Sequence, residues 1–234
     1  MLHASQTTIA QNIESIRARI ADAEIKYNRP AGSVQLLAVS KTRPAEDVLA
    51  ALAVQQRHFG ENYLQDALPK ITGIPNKNVK WHFIGPIQSN KTQSIAQHFD
   101  WVHSVDRLKV ARRLSEQRHA EQASLNICIQ VNSSNENSKS GVSVEETLEL
   151  AKEIQRLPHI KLRGLMSIPA SNQDFEQQRL SFRVLRELKE ELNLEGMNLD
   201  TLSMGMSSDM EAAIAEGSTI IRIGTAIFGA RNAR

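Results

Sequence analysis

Arg222 stands inside an apolar run, Ile220-Ile221-Arg222-Ile223, that ends in Gly224-Thr225 and continues as Ala226-Ile227-Phe228-Gly229. A strand that finishes in Gly-Thr presents backbone N–H groups and a hydroxyl to an anion, usually a phosphate. A charge inside an apolar strand must be paired or hydrogen-bonded, because its desolvation is costly. A phosphorylated ligand with a second polar atom near the arginine supplies a reason for both features. A structural salt bridge inside the fold is the competing account of Arg222. In a strand, Arg222 and Gly224 share one face, being two residues apart.

A second apolar run, 34–39, leads through Ser40 to Lys41 and Thr42. A lysine in a partly dry pocket at a strand end has a lowered pKa, and its amine forms Schiff bases with carbonyls. The plainer account is a surface lysine that caps the strand. Ser207-Ser208-Asp209 offers hydroxyls to an anion, or simply an N-cap to a helix. His82, beside Trp81, and His103 read as hydrogen-bonded core residues rather than bases. Metal binding is disfavoured: there is no His-x-x-x-His, a single cysteine, and no dense carboxylate cluster. The polar loop 133–141, with Lys139, reads as solvated or as a lid.

The elements that must position these residues alternate in type. Ile9, Ile13, Ile16, Ile20 and Ile25 mark an amphipathic N-terminal helix of about five turns, stopped near Pro30 and Gly32. Strand-like runs follow at 34–39, 57–60, 81–84, 101–103, 125–131, 161–166, 201–204 and 219–223. Helical stretches at 44–55, 63–71, 90–98, 107–122, 145–156, 175–192 and 210–216 separate them. Eight βα units predict an α/β protein with a parallel sheet closed into a (β/α)8 barrel of the TIM class, preceded by an additional helix. An open doubly wound sheet is the alternative. No Gly-x-Gly-x-x-Gly follows the first strand, which argues against a dinucleotide site. Barrels carry their sites at the C-terminal strand ends. That rule gathers Lys41, Asn62, Tyr63, Ser207, Gly224 and Thr225 at one mouth.

The 234 residues, 41% hydrophobic and 23% charged, suit one domain spanning 1–234. A net charge of +2 gives no case for nucleic acid. The lone Cys128 excludes an internal disulfide and fits a reducing compartment. No signal core or membrane-length apolar stretch is visible. The expectation is a cytoplasmic protein without membrane attachment.

Taken together the motifs resemble a known family. They are Leu37-Ala38-Val39-Ser40-Lys41-Thr42, His58-Phe59-Gly60-Glu61-Asn62-Tyr63, Trp81-His82-Phe83-Ile84-Gly85-Pro86-Ile87-Gln88-Ser89-Asn90-Lys91 and Asn137-Ser138-Lys139-Ser140-Gly141. Arg163-Gly164-Leu165-Met166, Ser203-Met204-Gly205-Met206-Ser207 and Arg222–Gly229 complete them, in order, over nearly the whole chain. The family is that of the pyridoxal phosphate homeostasis proteins, whose fold-type III barrel is similar to the N-terminal domain of alanine racemase. The resemblance implies that Lys41 holds pyridoxal 5′-phosphate as a Schiff base. It implies that Ser207, Gly224 and Thr225 bind the phosphate, that Arg222 faces the pyridine nitrogen and that Asn62 lies beside the ring. Met204 and Met206 would line the pocket.

A permanently cationic partner disfavours protonation of the pyridine nitrogen and weakens the ring as an electron sink. The expected role is therefore a carrier that buffers the cofactor, with no catalytic residue, no metal, transient partners among apo-enzymes that need it, and a monomeric state. The alternative is an amino-acid racemase with Lys41 and Tyr63 as its two bases. The second base of alanine racemase comes from a further domain, for which the residues spent on the barrel leave no counterpart. A Schiff-base aldolase is set aside, because Lys161 sits at the beginning of strand six, on the wrong face.

Overall fold

Eight short strands rich in Ile, Leu, Val and aromatic residues form a closed parallel barrel in the computed structural model, which describes residues 2–75, 78–133, 140–170 and 174–230, and side chains from residue 8 onward. The strands are β1 Gln35–Val39, β2 His58–Glu61, β3 Lys80–Phe83 and β4 Trp101–Val105. β5 Leu125–Gln130, β6 Ile160–Met166, β7 Thr201–Ser203 and β8 Ile220–Ile223 follow in chain order around the ring. β8 closes onto β1 with Leu37 opposite Arg222 and Ala38 opposite Ile223. The barrel expectation therefore holds, and the open sheet is excluded.

Helices cover the outside. α1 Leu2–Lys26 precedes β1, and α2 Ala45–Ala53, α3 Leu64–Gly73, α4 Thr92–His98 and α5 Leu108–Gln117 follow the first four strands. α6 Val144–Gln155, α7 Phe175–Leu194, α8 Met210–Ala215 and a short α9 Thr225–Phe228 follow the rest. On α1, Ile9, Ile13, Ile16 and Ile20 are buried, and the helix packs against α2, α8 and α9. Burying four isoleucines contributes on the order of 1.5–3 kcal/mol each. Ile25 departs from expectation: it is 75% exposed, and the last inward turn is taken by Ala23 and Glu24. Glu24 accepts hydrogen bonds from the N–H groups of Gly32 and Val34, which ties the end of α1 to the start of β1.

Most boundaries fall within two residues of the sequence expectation; one end and one added element differ more. α5 stops at Gln117 because Arg118 turns to extended backbone, and its guanidinium donates to the carbonyls of Ala96, Phe99 and Ala123. α9 was not expected. The apolar run that supplies β8 continues past Gly224, and Ile227 and Phe228 bury themselves as a helical turn.

Strand alternation separates two environments. Leu36, Ala38, Ile127, Ile129, Leu202, Met204, Ile221 and Ile223 belong to the layer between strands and helices. The interior is unusually polar for a barrel of this class, whose centre is ordinarily filled by branched aliphatic residues. It holds His82, His103, Ser203 and Arg222, all buried.

Candidate functional site

Lys41 follows β1 and is half-buried. Its neighbour Ser40 turns outward, donating to Glu61 at 2.6 Å, where Glu61 also pairs with Lys70 of α3. By alternation Lys41 takes the interior side, with Leu37 and Val39. The chain then reverses at Thr42, whose φ is 63°. A β-branched residue in the left-handed region is strained, and such strain persists only where surrounding structure enforces it.

On the neighbouring strand, Asn62 follows the end of β2 and is half-buried. Its side-chain Oδ1 is buried and has no hydrogen-bond partner. An unsatisfied buried amide oxygen costs about 1–3 kcal/mol, which marks a place where a ligand donor fits. A cavity of about 200 Å³ opens beside it, lined by Asn62, Tyr63, Phe83, Pro86, Gln88 and Lys91. The loop after β3 presses close: a Cβ on Gly85 would lie 2.2 Å from the Asn62 carbonyl oxygen, so only glycine fits there. Tyr63 is half-exposed and takes the N-cap position of α3 without a side-chain capping bond.

Arg222 is 4% exposed. Its guanidinium donates to the carbonyl and the hydroxyl of Ser203, the latter at 2.9 Å, and to the Ser167 carbonyl at 2.9 Å. Among the described residues no carboxylate lies within salt-bridge distance of it, so the structural salt bridge weighed from sequence is not formed. Burial pushes Arg222 down to about 10, partly offset by the more distant Asp209, so it remains a cation at neutral pH. The buried charge is thus held by neutral oxygens, and an electron-rich atom in the pocket would be drawn to it.

Beyond Arg222, Gly224 is half-buried and Thr225 exposed at the start of α9. A Cβ on Gly224 would stand 3.3 Å from the Val39 carbonyl oxygen, so the turn lies tight against the end of β1 and near Lys41. The first N–H groups of a helix have no partner within it. Ser207 is half-buried in the loop between β7 and α8, next to Gly205, whose φ is +95°. Met206 is 36% exposed at the same loop. Met204, just past β7, is buried in the apolar layer under the helices, so it meets an interior ligand only through its backbone.

The sequence reading missed the supports of Arg222. Ser167 reads in sequence only as a residue past strand six and Ser203 only as part of a motif, neither tied to Arg222, and His82 and His103 read as separate core residues. In the structure His58, His82 and His103 touch in series and end on Ser203. A histidine in each of three consecutive strands was the available signal. Residues 134–139, including Lys139, lie outside the described residues. Lys161 is exposed at the start of β6, away from the mouth. The arrangement offers an amine, an orphaned amide oxygen, a desolvated cation and a hydroxyl-rich turn around one opening. It suits a small ligand with a carbonyl, an anionic group and a basic ring or lone-pair atom.

The sequence profile of the alanine racemase N-terminal domain family matches residues 6–232. The pyridoxal phosphate homeostasis protein of Pseudomonas aeruginosa is 56% identical over 226 residues, 97% of this chain and 97% of its own. That of Vibrio alginolyticus is 54% identical over 230 residues, 97% of this chain and 99% of its own. The solved structure of PipY from Synechococcus elongatus with PLP bound superposes with a TM-score of 0.81 at 35% identity, covering 94% of this chain and all of that one.

Proposed function

The chain belongs to the pyridoxal phosphate homeostasis protein family, within the alanine racemase N-terminal domain family, and on that premise we propose that it binds pyridoxal 5′-phosphate on Lys41 as a non-catalytic carrier. The reading places Ser207, Gly224 and Thr225 at the phosphate, Asn62 beside the ring and Arg222 at its nitrogen, with Met204 contributing backbone only. The carrier buffers the cofactor in the cytoplasm and hands it to apo-enzymes, acting as a monomer. The relative with PLP bound supports the ligand, and the names of the close relatives support the role.

One observation carries the assignment: an interior arginine with no carboxylate partner among the described residues, its guanidinium fixed by Ser203 and Ser167. When bound, the group supplies an aldehyde for Schiff-base formation and a pyridine ring that can withdraw electrons. Arg222 would donate to the ring nitrogen and, being charged across the physiological range, would disfavour protonation there. Lys41 supplies the amine at the strand end. The turn at Gly224 and Thr225 supplies N–H and hydroxyl donors at an anion. Asn62 orients the ring face. These groups bind and orient; the strongest electron-withdrawing form of the ring is the one Arg222 opposes. Tyr63, half-exposed on the cavity wall, is the one residue that favours the racemase reading.

Titration of the purified protein with pyridoxal 5′-phosphate should give the visible absorbance of a lysine Schiff base, and Lys41→Ala should abolish it. Ser207→Ala or Thr225→Ala should keep the band and weaken binding by up to about tenfold, from the loss of one hydrogen bond of about 1.4 kcal/mol. Incubation of the loaded protein with D- or L-alanine should leave the enantiomer unchanged. Interconversion at enzyme-like rates, lost in Tyr63→Phe, would replace the carrier by the racemase.

A further inference from the structure

The barrel interior contains an unbroken file of hydrogen bonds. His58 Nδ1 meets His82 Nε2 at 3.0 Å, and His82 Nδ1 meets His103 Nε2 at 2.9 Å. His103 Nδ1 meets the Ser203 hydroxyl at 2.7 Å, and that hydroxyl accepts from Arg222. His82 and His103 are completely buried, and Trp101 stacks on His82 at 5.5 Å with its plane tilted by only 11°. The far end is open. His58 is half-buried at the start of β2 and lines a cleft of about 460 Å³ on the opposite face of the barrel from Lys41.

A neutral imidazole carries one N–H and one bare nitrogen. Each histidine with two such neighbours must therefore donate once and accept once, so the whole file points one way or the other. Arg222 can only donate, and it occupies a lone pair of Ser203. The hydroxyl proton then turns to the nearest acceptor, His103 Nδ1. That choice propagates: His103 donates from Nε2 to His82, and His82 from Nε2 to His58. In this polarity Ser203 is free to serve Arg222.

We infer that His58, His82 and His103 are a proton-responsive relay, through which charge on His58 at one face of the barrel sets the hydrogen-bonding state of Ser203 and so positions Arg222 at the other. A proton taken from water forms a new N–H bond on His58, which then donates from both nitrogens. His82 Nε2 must become an acceptor, so its single proton resides on Nδ1, and His103 changes in the same way. The file gains the one proton that the solvent loses. His103 now donates to Ser203, whose hydroxyl receives two donors and must direct its own proton elsewhere. Arg222 keeps its carbonyl anchors on Ser203 and Ser167 but shares the hydroxyl.

The charged surroundings fix where the added proton stays. His58 faces Asp100, which favours its cation, and Lys80, which opposes it, and burial lowers its pKa overall. The cleft at its edge also holds Arg17, Glu24 and Arg57. His82 is held well below the ordinary range by burial and by the neighbouring His103, His58 and Lys80. His103 is pushed to about 3 by burial and by Arg222. Arg163 lies over the Trp101 ring, 4.8 Å from its centre. The cation therefore stays on His58, and the inner two histidines change tautomer without changing charge.

The test uses the full chain without cofactor, labelled with ¹⁵N-histidine. Across the pH range in which His58 titrates, Nδ1 of His82 and of His103 should change from the unprotonated to the protonated type of resonance, with one shared midpoint. In His58→Gln, which keeps a donor and an acceptor but takes no proton, both should stay fixed. Inner histidines that keep their tautomer while His58 titrates, or that change equally in His58→Gln, overturn the relay. The consequence for the ligand rests on the function proposed above and is read separately. Affinity for pyridoxal 5′-phosphate should fall several-fold more on acidification in the wild type than in His58→Gln. Equal falls with the tautomer change present would detach the relay from Arg222. Absence of any binding would sink the proposed function and leave the tautomer result intact.

Discussion

Arg222 shows how a residue that looks anomalous in sequence is made tolerable in a fold. Its charge is balanced by two carbonyls and a hydroxyl, two of those oxygens from Ser203 at the end of the neighbouring β7 and one from Ser167 just past β6, one strand further round. Ser203 is the hinge of this arrangement, since it serves Arg222 and His103 at once. Ser203→Ala removes the hydroxyl from both, leaving His103 Nδ1 without a partner and Arg222 with its two carbonyls alone, and should destabilise the cofactor-free protein by about 1–3 kcal/mol in urea unfolding. It should also weaken pyridoxal phosphate binding; unchanged affinity would mean that the two carbonyls alone orient Arg222. The type and spacing of Arg222, Gly224 and Thr225 were enough to flag an anion and an interior cation. The strand-end rule placed Ser167 just past strand six, but nothing in the spacing tied it or Ser203 to Arg222, because those bonds cross between strands.

At the scale of elements, the strands were legible to within about two residues because apolar runs closed by polar residues or glycine recur eight times. The shortfalls were at boundaries decided by long-range bonds, as where Arg118 ends α5. Close approach of backbones is another such decision. A Cβ on Gly164 would stand 1.8 Å from the Thr201 carbonyl oxygen, so β6 and β7 meet only because residue 164 is glycine. Gly164→Ala should cost more than about 4 kcal/mol, or prevent folding, as judged by soluble yield and thermal unfolding. The join of β2 to α3 uses a buried ion pair, Glu61 with Lys70, which are 0% and 5% exposed at their side chains. Burial raises the Glu61 pKa, against the pull of Lys70 and the Ser40 hydroxyl. Lys70→Met alone strands a carboxyl and should cost about 3–5 kcal/mol, whereas Glu61→Leu with Lys70→Met together should cost much less. A double variant as unstable as the single one would show that the pair does more than satisfy itself.

For the whole molecule, the polar interior makes stability depend on pH. His82 and His103 are neutral when folded and titrate near 6.5 when unfolded. Their folded pKa values are the lower ones, so the unfolded chain binds more protons as pH falls below about 6.5. Stability is complete above that value and is lost on acidification, by up to about 1.4 kcal/mol per pH unit for each excluded proton. Glu216, held below the ordinary carboxylate range because bonds from Arg183 and Arg179 outweigh its burial, adds a similar loss only at lower pH. Urea unfolding between pH 7 and 5 should therefore show falling stability, and His103→Gln should flatten the slope. A profile already flat in the wild type contradicts the assignment of neutral buried histidines. By itself the sequence determined the eightfold βα alternation, the mouth at which Lys41, Asn62, Ser207 and Thr225 gather, and the family, because these are written in local periodicity and contiguous motifs. Only the tertiary structure decided what holds Arg222 and that three histidines form one file. Those bonds join residues 55 and 100 positions apart, and closure of the barrel, with its fixed register between strands, is what brings them within 3 Å.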